Sequence, residues 1–324
     1  MNILITGCAG FIGFHLASFL SKKYKKSKII GFDNLNNFYS SNYKKKRIRE
    51  LSRNKNFYFK KIDLENEKKI DNIFKNNKIR IVIHLAAQAG VRDSLRIPNS
   101  YFKSNFIGFM NIINASNKNR VDKFIFASSS SVYGDKRKFP LKENMSILPK
   151  NIYSATKKIN EDIANDISRI SKMKIIGLRF FTVYGKYGRP DMFIFKFLNA
   201  LLNKKEFYLY NKGNHHRDYT HIDDVVNIVF SLIKKKIFNR FQIFNICSNN
   251  PVDINKLVKF ISKYLNIKPN IIKKKRNKIE VLKTHGDNKK ILKFLKIKLK
   301  KNIFLELPGI IHWYKKNKIW KFCN

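Results

Sequence analysis

Asn2-Ile3-Leu4-Ile5-Thr6-Gly7-Cys8-Ala9-Gly10-Phe11-Ile12-Gly13 is the stretch that decides the fold. Its first five residues form a short apolar run that stops at Gly7, and apolar residues recur at helical spacing from Phe11 to Leu20. The segment reads as strand, turn and helix. The turn itself is a GxxGxxG. Glycines at Gly7, Gly10 and Gly13 permit a tight bend and a close backbone approach to a pyrophosphate. The pyrophosphate would sit on the first amides of the helix, at Phe11, Ile12 and Gly13, where the dipole is positive. A purely structural turn can carry the same glycines, but the strand before and the helix after favour a dinucleotide.

The next segments extend that reading. Ile29-Ile30-Gly31-Phe32-Asp33 is a second buried-looking strand, and Asp33 ends it twenty residues after Gly13. A carboxylate there accepts hydrogen bonds from the adenosine ribose and repels a 2′-phosphate, so NAD is expected rather than NADP. Phe57-Tyr58-Phe59 is a third strand; Asp63 and Leu64 beyond it either reach an adenine edge or cap a helix from Glu65. Arg80 to His84 runs through Leu85 into Ala86 and Ala87, small residues that let the backbone approach a cofactor. His84 is expected to be packed rather than reactive. A long helical pattern runs from about Asn99 to Asn117, and a fifth strand, Lys123 to Ala127, ends in Ser128-Ser129-Ser130-Ser131. Strands alternating with helices predict an α/β fold with a doubly wound parallel sheet, whose ligands bind at the carboxyl ends of the strands.

Tyr153-Ser154-Ala155-Thr156-Lys157 places a phenol and an ammonium one helical turn apart on one face. A cation held close lowers the pKa of a phenol and makes it a base. After the strand Lys174 to Phe180 the pattern loosens into Thr182-Val183-Tyr184-Gly185 and Arg189-Pro190-Asp191. This predicts a cofactor domain over residues 1–180, with a returning segment near 215–235, and a smaller, mainly substrate-binding α/β domain over 181–324.

The 324 residues carry 68 Lys+Arg against 22 Asp+Glu, a formal charge of +46. The lysines spread from Lys22 to Lys321 among abundant Asn and Ile, as AT-biased codons produce, so no nucleic-acid partner is expected. Cys8, Cys247 and Cys323 show no metal or disulfide spacing, and no metal is expected. No apolar run reaches membrane-span length and Met1 leads straight into a strand, so no membrane association and a cytoplasmic location are expected.

Taken together, GCAGFIG, the Asp33 strand end, HLAAQAGVR from His84 to Arg92, the serine run with Val132-Tyr133-Gly134, YSATK and RDYTHIDD resemble the extended short-chain dehydrogenase/reductases, in that family's order and over nearly the whole chain. Within it the chain is similar to UDP-glucuronate 4-epimerases. The segments Asp33 to Tyr39, Ala87-Gln88-Ala89-Gly90-Val91-Arg92 and Leu178 to Met192 carry that likeness, and they place Gln88 and Arg92 where relatives contact sugar and cofactor. The resemblance implies a homodimer and a redox-neutral epimerisation at C4 of a UDP-sugar with NAD kept bound. Tyr153 would be the base and Lys157 would hold the phenolate and the nicotinamide ribose. Ser129, with Ser130, would hydrogen-bond the reacting oxygen. Thr182 and Arg189 are the candidates for a C6 carboxylate. Arg217 suits the diphosphate, or else a salt bridge to Asp218, and Asn105 orders the helix beside the site. Ile279-Glu280 departs from the Gly-Asp expected before Val281 and weakens a nucleotide contact by Arg276. Ser130 and Ser131 stand where sugar dehydratases have Asp-Glu. A 4-epimerase of a neutral UDP-hexose, a UDP-glucuronate decarboxylase and a non-catalytic NAD-binding protein recruited to RNA are the competing readings.

Overall fold

The apolar runs of the first half of the chain become parallel strands. The computed structural model describes residues 1–275 and 281–322. In chain order it contains β1 (Asn2–Thr6), α1 (Phe11–Lys23), β2 (Ile29–Asp33), α2 (Ser41–Leu51), β3 (Phe57–Lys61), α3 (Glu67–Lys75), β4 (Ile79–His84), α4 (Pro98–Tyr101), α5 (Gly108–Lys118), β5 (Lys123–Ser129), α6 (Ile152–Ile170) and β6 (Lys174–Phe180). There follow β7 (Thr182–Tyr184), α7 (Phe193–Leu202), β8 (Phe207–Tyr210), β9 (His216–His221), α8 (Ile222–Lys234), β10 (Phe241–Ile246), β11 (Pro251–Asp253), α9 (Ile254–Leu265), β12 (Ile271–Lys274), α10 (Lys289–Leu295) and α11 (Ile303–Lys316).

Seven strands join in the order β10-β6-β5-β4-β1-β2-β3, all parallel. Side chains alternate across this sheet because successive residues of a strand point to opposite faces. Ile3 and Ile5 pack with Leu16 and Leu20 of α1 and Val225 and Val229 of α8. Leu4 faces the other way, toward Ile70 and Phe74 of α3 and Phe109 and Ile112 of α5. Both faces are covered, so the strands read as continuous apolar runs. The strand order reverses between β1 and β4, and a crevice opens there at the carboxyl ends.

A second core gathers Phe197 and Leu198 of α7, Leu257 of α9 and Leu307 and Ile311 of α11. Its strands form two small sheets, β11-β9-β7 and β12-β8. The return to the large sheet reaches beyond the segment near 215–235: α8 lies beside α1, and β10 adds the edge strand against β6.

The helical pattern over 99–117 winds in three parts. Between α4 and α5, Phe102–Ile107 forms a π-helical turn. The wider turn carries Asn105 inward, where it is 1% exposed and fully engaged in hydrogen bonds described below.

A buried ion pair locks α6 to the sheet. Arg179 on β6 donates from Nε and an Nη to both oxygens of Glu161 at 2.9 and 2.8 Å, and the side chains are 3% and 6% exposed. Ser128 Oγ donates to the same carboxylate. Tyr133 accepts from Arg179 at 2.9 Å and donates to Asn245 of β10 at 2.7 Å. Removing one charge strands the other without water, whereas removing both does not. Arg179→Met is expected to lower the unfolding free energy by roughly 3–5 kcal/mol, and the double variant Arg179→Met/Glu161→Gln to recover much of it. Urea unfolding of both tests this; equal losses would show that the pair acts through packing alone.

Candidate active site

The crevice between β1 and β4 continues into a cleft of about 310 Å³. Its floor is the glycine turn. Gly7 has φ +71°, and a β-carbon there would stand 2.8 Å from the Ala86 amide, so the ends of β1 and β4 approach as only glycine allows. A β-carbon on Gly13 would lie 2.2 Å from the Gly7 carbonyl. Gly10 is the N-cap of α1 and makes no side-chain cap, so the first amides of that helix are not spent on a capping group. Phe11, Ile12 and Gly13 all line the cleft.

Asp33 closes β2 and is turned toward this floor. Its carboxylate accepts from the amides of Ala9 at 3.3 Å and Leu35 at 2.8 Å. Burial pushes its pKa up, against the charge of Lys44. Lys44 also lines the cleft and donates to the carbonyl and side-chain oxygens of Asn36 at 2.8 and 2.6 Å. Asp63 lines the wall and accepts from Asn34 at 2.8 Å. The helix beyond it is capped by Asn66 instead, whose side chain accepts from the Lys69 amide. Leu64 lines the same wall and meets α5 at Gly108.

Thr6 organises the opposite wall. Its hydroxyl accepts from the amides of Leu85 and Ala86 at 3.2 and 3.1 Å and pairs with His84 Nδ1 at 2.8 Å. His84 is 2% exposed between the rings of Phe109 and Phe124. Burial, with the Lys157 charge, brings its pKa down to about 3, which leaves a neutral, packed imidazole. Leu85, Ala86, Ala87 and Gln88 run along the cleft. Asn105 holds the Gln88 backbone at both ends, accepting from its amide at 2.7 Å and donating to its carbonyl at 3.0 Å. Its amide nitrogen also donates to Thr156 Oγ1 on α6 at 3.1 Å.

The residues expected to react, Tyr153 and Ser129 with Lys157 beside them, sit where β5 ends and α6 begins. Asn151 caps α6 and Ser154 completes a capping box, which fixes the first turn and directs Tyr153 inward. Tyr153 is hydrogen-bonded to Ser129, and its ring meets that of Tyr101 edge-on at 6.2 Å. Ser129 in turn accepts from the Ser131 amide at 3.1 Å and hydroxyl at 2.9 Å. Lys157 Nζ donates to the Ala127 carbonyl at 2.8 Å.

The electrostatics of the pair are dominated by burial. Burial raises the Tyr153 pKa; the Ser129 hydrogen bond and the charge of Arg189 oppose it. Burial lowers Lys157 to about 8, with Glu161 pulling the other way. The Arg189 charge favours the phenolate of Tyr153, while the Lys157 ammonium is anchored on a strand carbonyl.

Arg189 lines the cleft above the Phe38 ring, its guanidinium carbon 5.5 Å from the ring centre. Its Nε and one Nη grip Asp191, a carboxylate partner that the sequence reading did not assign. That partner, with its hydrogen bonds, keeps Arg189 firmly charged despite burial. Four other named residues stand off the wall. Ser130 opens a short 3-10 turn, Thr182 starts β7 opposite Tyr219, and Arg92 lies 4.4 Å from the Tyr210 ring centre. Arg217 donates to the carbonyls of His216 and Leu282 at 3.0 Å each, while Asp218 accepts from Ser248, Asn249 and Gly286. Arg276, Ile279, Glu280 and Cys323 lie outside the described residues. Among the described residues no group of three or more His, Cys, Asp or Glu could hold a metal, and no helix is long and apolar enough to cross a membrane.

The sequence pattern of the NAD-dependent epimerase/dehydratase family matches residues 3–247, from β1 through β10. The chain belongs to that family. This epimerase is 42% identical over 326 residues to the uncharacterized protein MJ1055 of Methanocaldococcus jannaschii, covering 98% of each chain. It is 34% identical over 316 residues to the UDP-glucuronate 4-epimerase of Thermodesulfobacterium geofontis, covering 97% of this chain and 96% of the other. The crystal structure of the UDP-glucuronic acid 4-epimerase of Bacillus cereus, in complex with UDP-glucuronic acid and NAD, superposes with a TM-score of 0.92 at 28% identity, covering 98% and 100%. The cofactor is NAD, and the residues fit it: a cradle that a β-carbon would fill, uncapped helix amides and a carboxylate at the second strand end.

A measurable consequence attaches to the buried amine of Lys157. Its folded value of about 8 lies below the ordinary 10.5, so the folded chain binds fewer protons than the unfolded one between those values. Stability therefore rises with pH across that window, and below it the cost is present in full, on the order of 3 kcal/mol. Lys157→Met is expected to raise the melting temperature at pH 7, with the gap narrowing as pH approaches 10, and to cut turnover about 100-fold or more. Thermal melts over that pH range check it; a gap that does not change with pH would refute the assignment of the cost to the amine.

Proposed function

We propose that this NAD-dependent epimerase interconverts UDP-glucuronate and UDP-galacturonate. One observation carries the choice of sugar. Arg189 stands in the wall of the cleft close enough for its charge to act on Tyr153, so the group at the reacting carbon and a guanidinium share one space. Asp191 engages the Nε edge and leaves Nη1 without a hydrogen-bond partner among the described residues. A hexuronate presents its carboxylate two carbons from C4, within reach of such a group, and a guanidinium suits a carboxylate geometrically.

Bound NAD supplies the acceptor that takes a hydride from C4 and returns it to the other face. The chain's own groups manage the proton and the orientation. Tyr153 takes the proton of the 4-hydroxyl as the ketone forms and gives it back at the end. Ser129, already bonded to the phenol and organised by Ser131, donates to the same oxygen as charge moves. Lys157 keeps a cation beneath the pair from its anchor on Ala127. The 4-ketone is β to the C6 carboxylate and would lose CO2 readily if the breaking bond aligned with the carbonyl π system. Arg189 would hold that carboxylate out of alignment.

The purified protein is expected to convert UDP-glucuronate to UDP-galacturonate without added NAD, followed by NMR. Arg189→Ala is expected to lower kcat/KM for UDP-glucuronate about 100-fold more than it lowers that for UDP-glucose, the worth of a charge-assisted contact beyond its shared effect on Tyr153. Turnover of UDP-glucose alone would assign a neutral sugar, and stoichiometric CO2 release would assign a decarboxylase.

A further inference from the structure

The loop that carries Arg189 is held from outside the substrate region. His15 on α1 pairs through Nε2 with the Lys186 carbonyl at 2.8 Å. Arg47 on α2 donates through Nη2 to the carbonyls of Tyr187 at 2.6 Å and Gly188 at 3.2 Å. Three successive carbonyls just before Arg189 are thus gripped by side chains of the cofactor-binding helices. Tyr187 has φ +56°, a conformation that costs a side-chain-bearing residue energy and persists only where its surroundings impose it. Its ring is packed against Phe14 at 4.6 Å and Trp313 at 4.7 Å.

The same guanidinium reaches the other way. Nη1 of Arg47 donates to the Ala9 carbonyl in the glycine turn at 2.8 Å and to the Tyr39 hydroxyl at 2.7 Å. The Ala9 amide donates to Asp33. A continuous run of hydrogen bonds therefore joins the acid at the end of β2, the glycine turn and the backbone ahead of Arg189. Arg47 is 0% exposed, its Nε has no partner, and all four of its acceptors are uncharged oxygens. Its guanidinium carbon also lies 4.3 Å from the Tyr43 ring centre, and its charge acts on Asp33 without a direct ion pair. A cation buried without a hydrogen-bonded carboxylate is a costly way to stabilise a core; an aliphatic side chain would pack the helix at less cost. What the guanidinium offers, and lysine does not, is a rigid plane whose two ends reach two different loops at once.

We propose that Arg47 is a positioning residue, seconded by His15, that ties the glycine turn to residues 186–188 and so sets where Arg189 stands in the cleft. The proposal rests on reading Arg189 as a contact to the sugar. It makes sugar recognition depend on a side chain outside the cleft lining, and it joins the two halves of the site through that one side chain.

The test is a double-variant cycle on the holoenzyme as purified, run with UDP-glucuronate. No turnover of UDP-glucuronate by the wild type would mark a mistaken sugar and overturn the proposal along with it, an outcome distinct from a failure of the cycle on a substrate that is turned over. Arg47→Lys is expected to raise KM about tenfold with kcat changed less than about threefold, and to leave the NAD content per chain unchanged. In the Arg189→Ala background the same substitution is expected to move KM less than about twofold, because the group it positions is gone. His15→Phe is expected to act in the same direction more weakly, and it decides the matter if Arg47→Lys does not fold. Equal KM effects in both backgrounds would reduce Arg47 to a structural residue, and loss of NAD with KM unchanged would confine it to the glycine turn. Either result overturns the proposal.

Discussion

The site is built around the burial of one amine. Lys157 is 2% exposed, and the sheet end beneath it offers only a strand carbonyl, that of Ala127, as a direct partner. Keeping such a group charged in a dry crevice requires negative potential nearby, and Glu161 one turn further along α6 provides it. Glu161 is itself buried and needs Arg179, which needs Tyr133 and through it Asn245 on the edge strand. A requirement of the chemistry at one end of α6 thus propagates through four elements to the far side of the sheet. Each polar group in the series is satisfied by the next, which is how a buried network avoids the penalty of a half-paired one.

The position of Tyr153 is fixed from the other direction. The π-helical turn at Phe102–Ile107 brings Asn105 against both backbone atoms of Gln88 and against Thr156 on α6. Thr156 donates to the Tyr153 carbonyl at 2.8 Å, so the β4 loop and the helix carrying the phenol share one anchor. The wall that runs from Ala86 to Gln88 and the first turn of α6 therefore share one hydrogen-bonded support. A proton transfer with a geometric tolerance of a few tenths of an ångström benefits from that shared support.

The large sheet was legible because its information lies in small and apolar residues, whose meaning is local. Gly7 next to a β-branched run, Asp33 at a strand end and Ala86-Ala87 after His84 each state a backbone requirement that no tertiary context alters. The interrupted helix was not legible, since Phe102 to Ile107 has the same apolar spacing whether it winds as α or π, and only the inward pull of Asn105 distinguishes them. Nor did the sequence show that Asn66 rather than a residue nearer Asp63 caps α3, because both positions carry competent acceptors. The pairing of Arg189 with Asp191 lies two residues apart in a loop, where no periodicity reports on contact.

The cations are the hardest case, and the reason is compositional. In a chain with 68 Lys+Arg, a basic residue on a helix says almost nothing about its surroundings. The α2 segment SNYKKKRIREL has four consecutive basic residues, yet Lys44 and Arg47 are buried while Lys45 is exposed and Lys46 half-buried. The buried pair lies three residues apart on the face that also carries Tyr43 and Leu51, so the helix is amphipathic with cations on its inner side. Drift toward lysine codons can add charges freely wherever water solvates them. It cannot supply an arginine whose two ends must reach Ala9 and Gly188 together, so the cations that grip two groups at once, Arg47 between two loops and Arg179 and Arg189 on both oxygens of a carboxylate, are arginines.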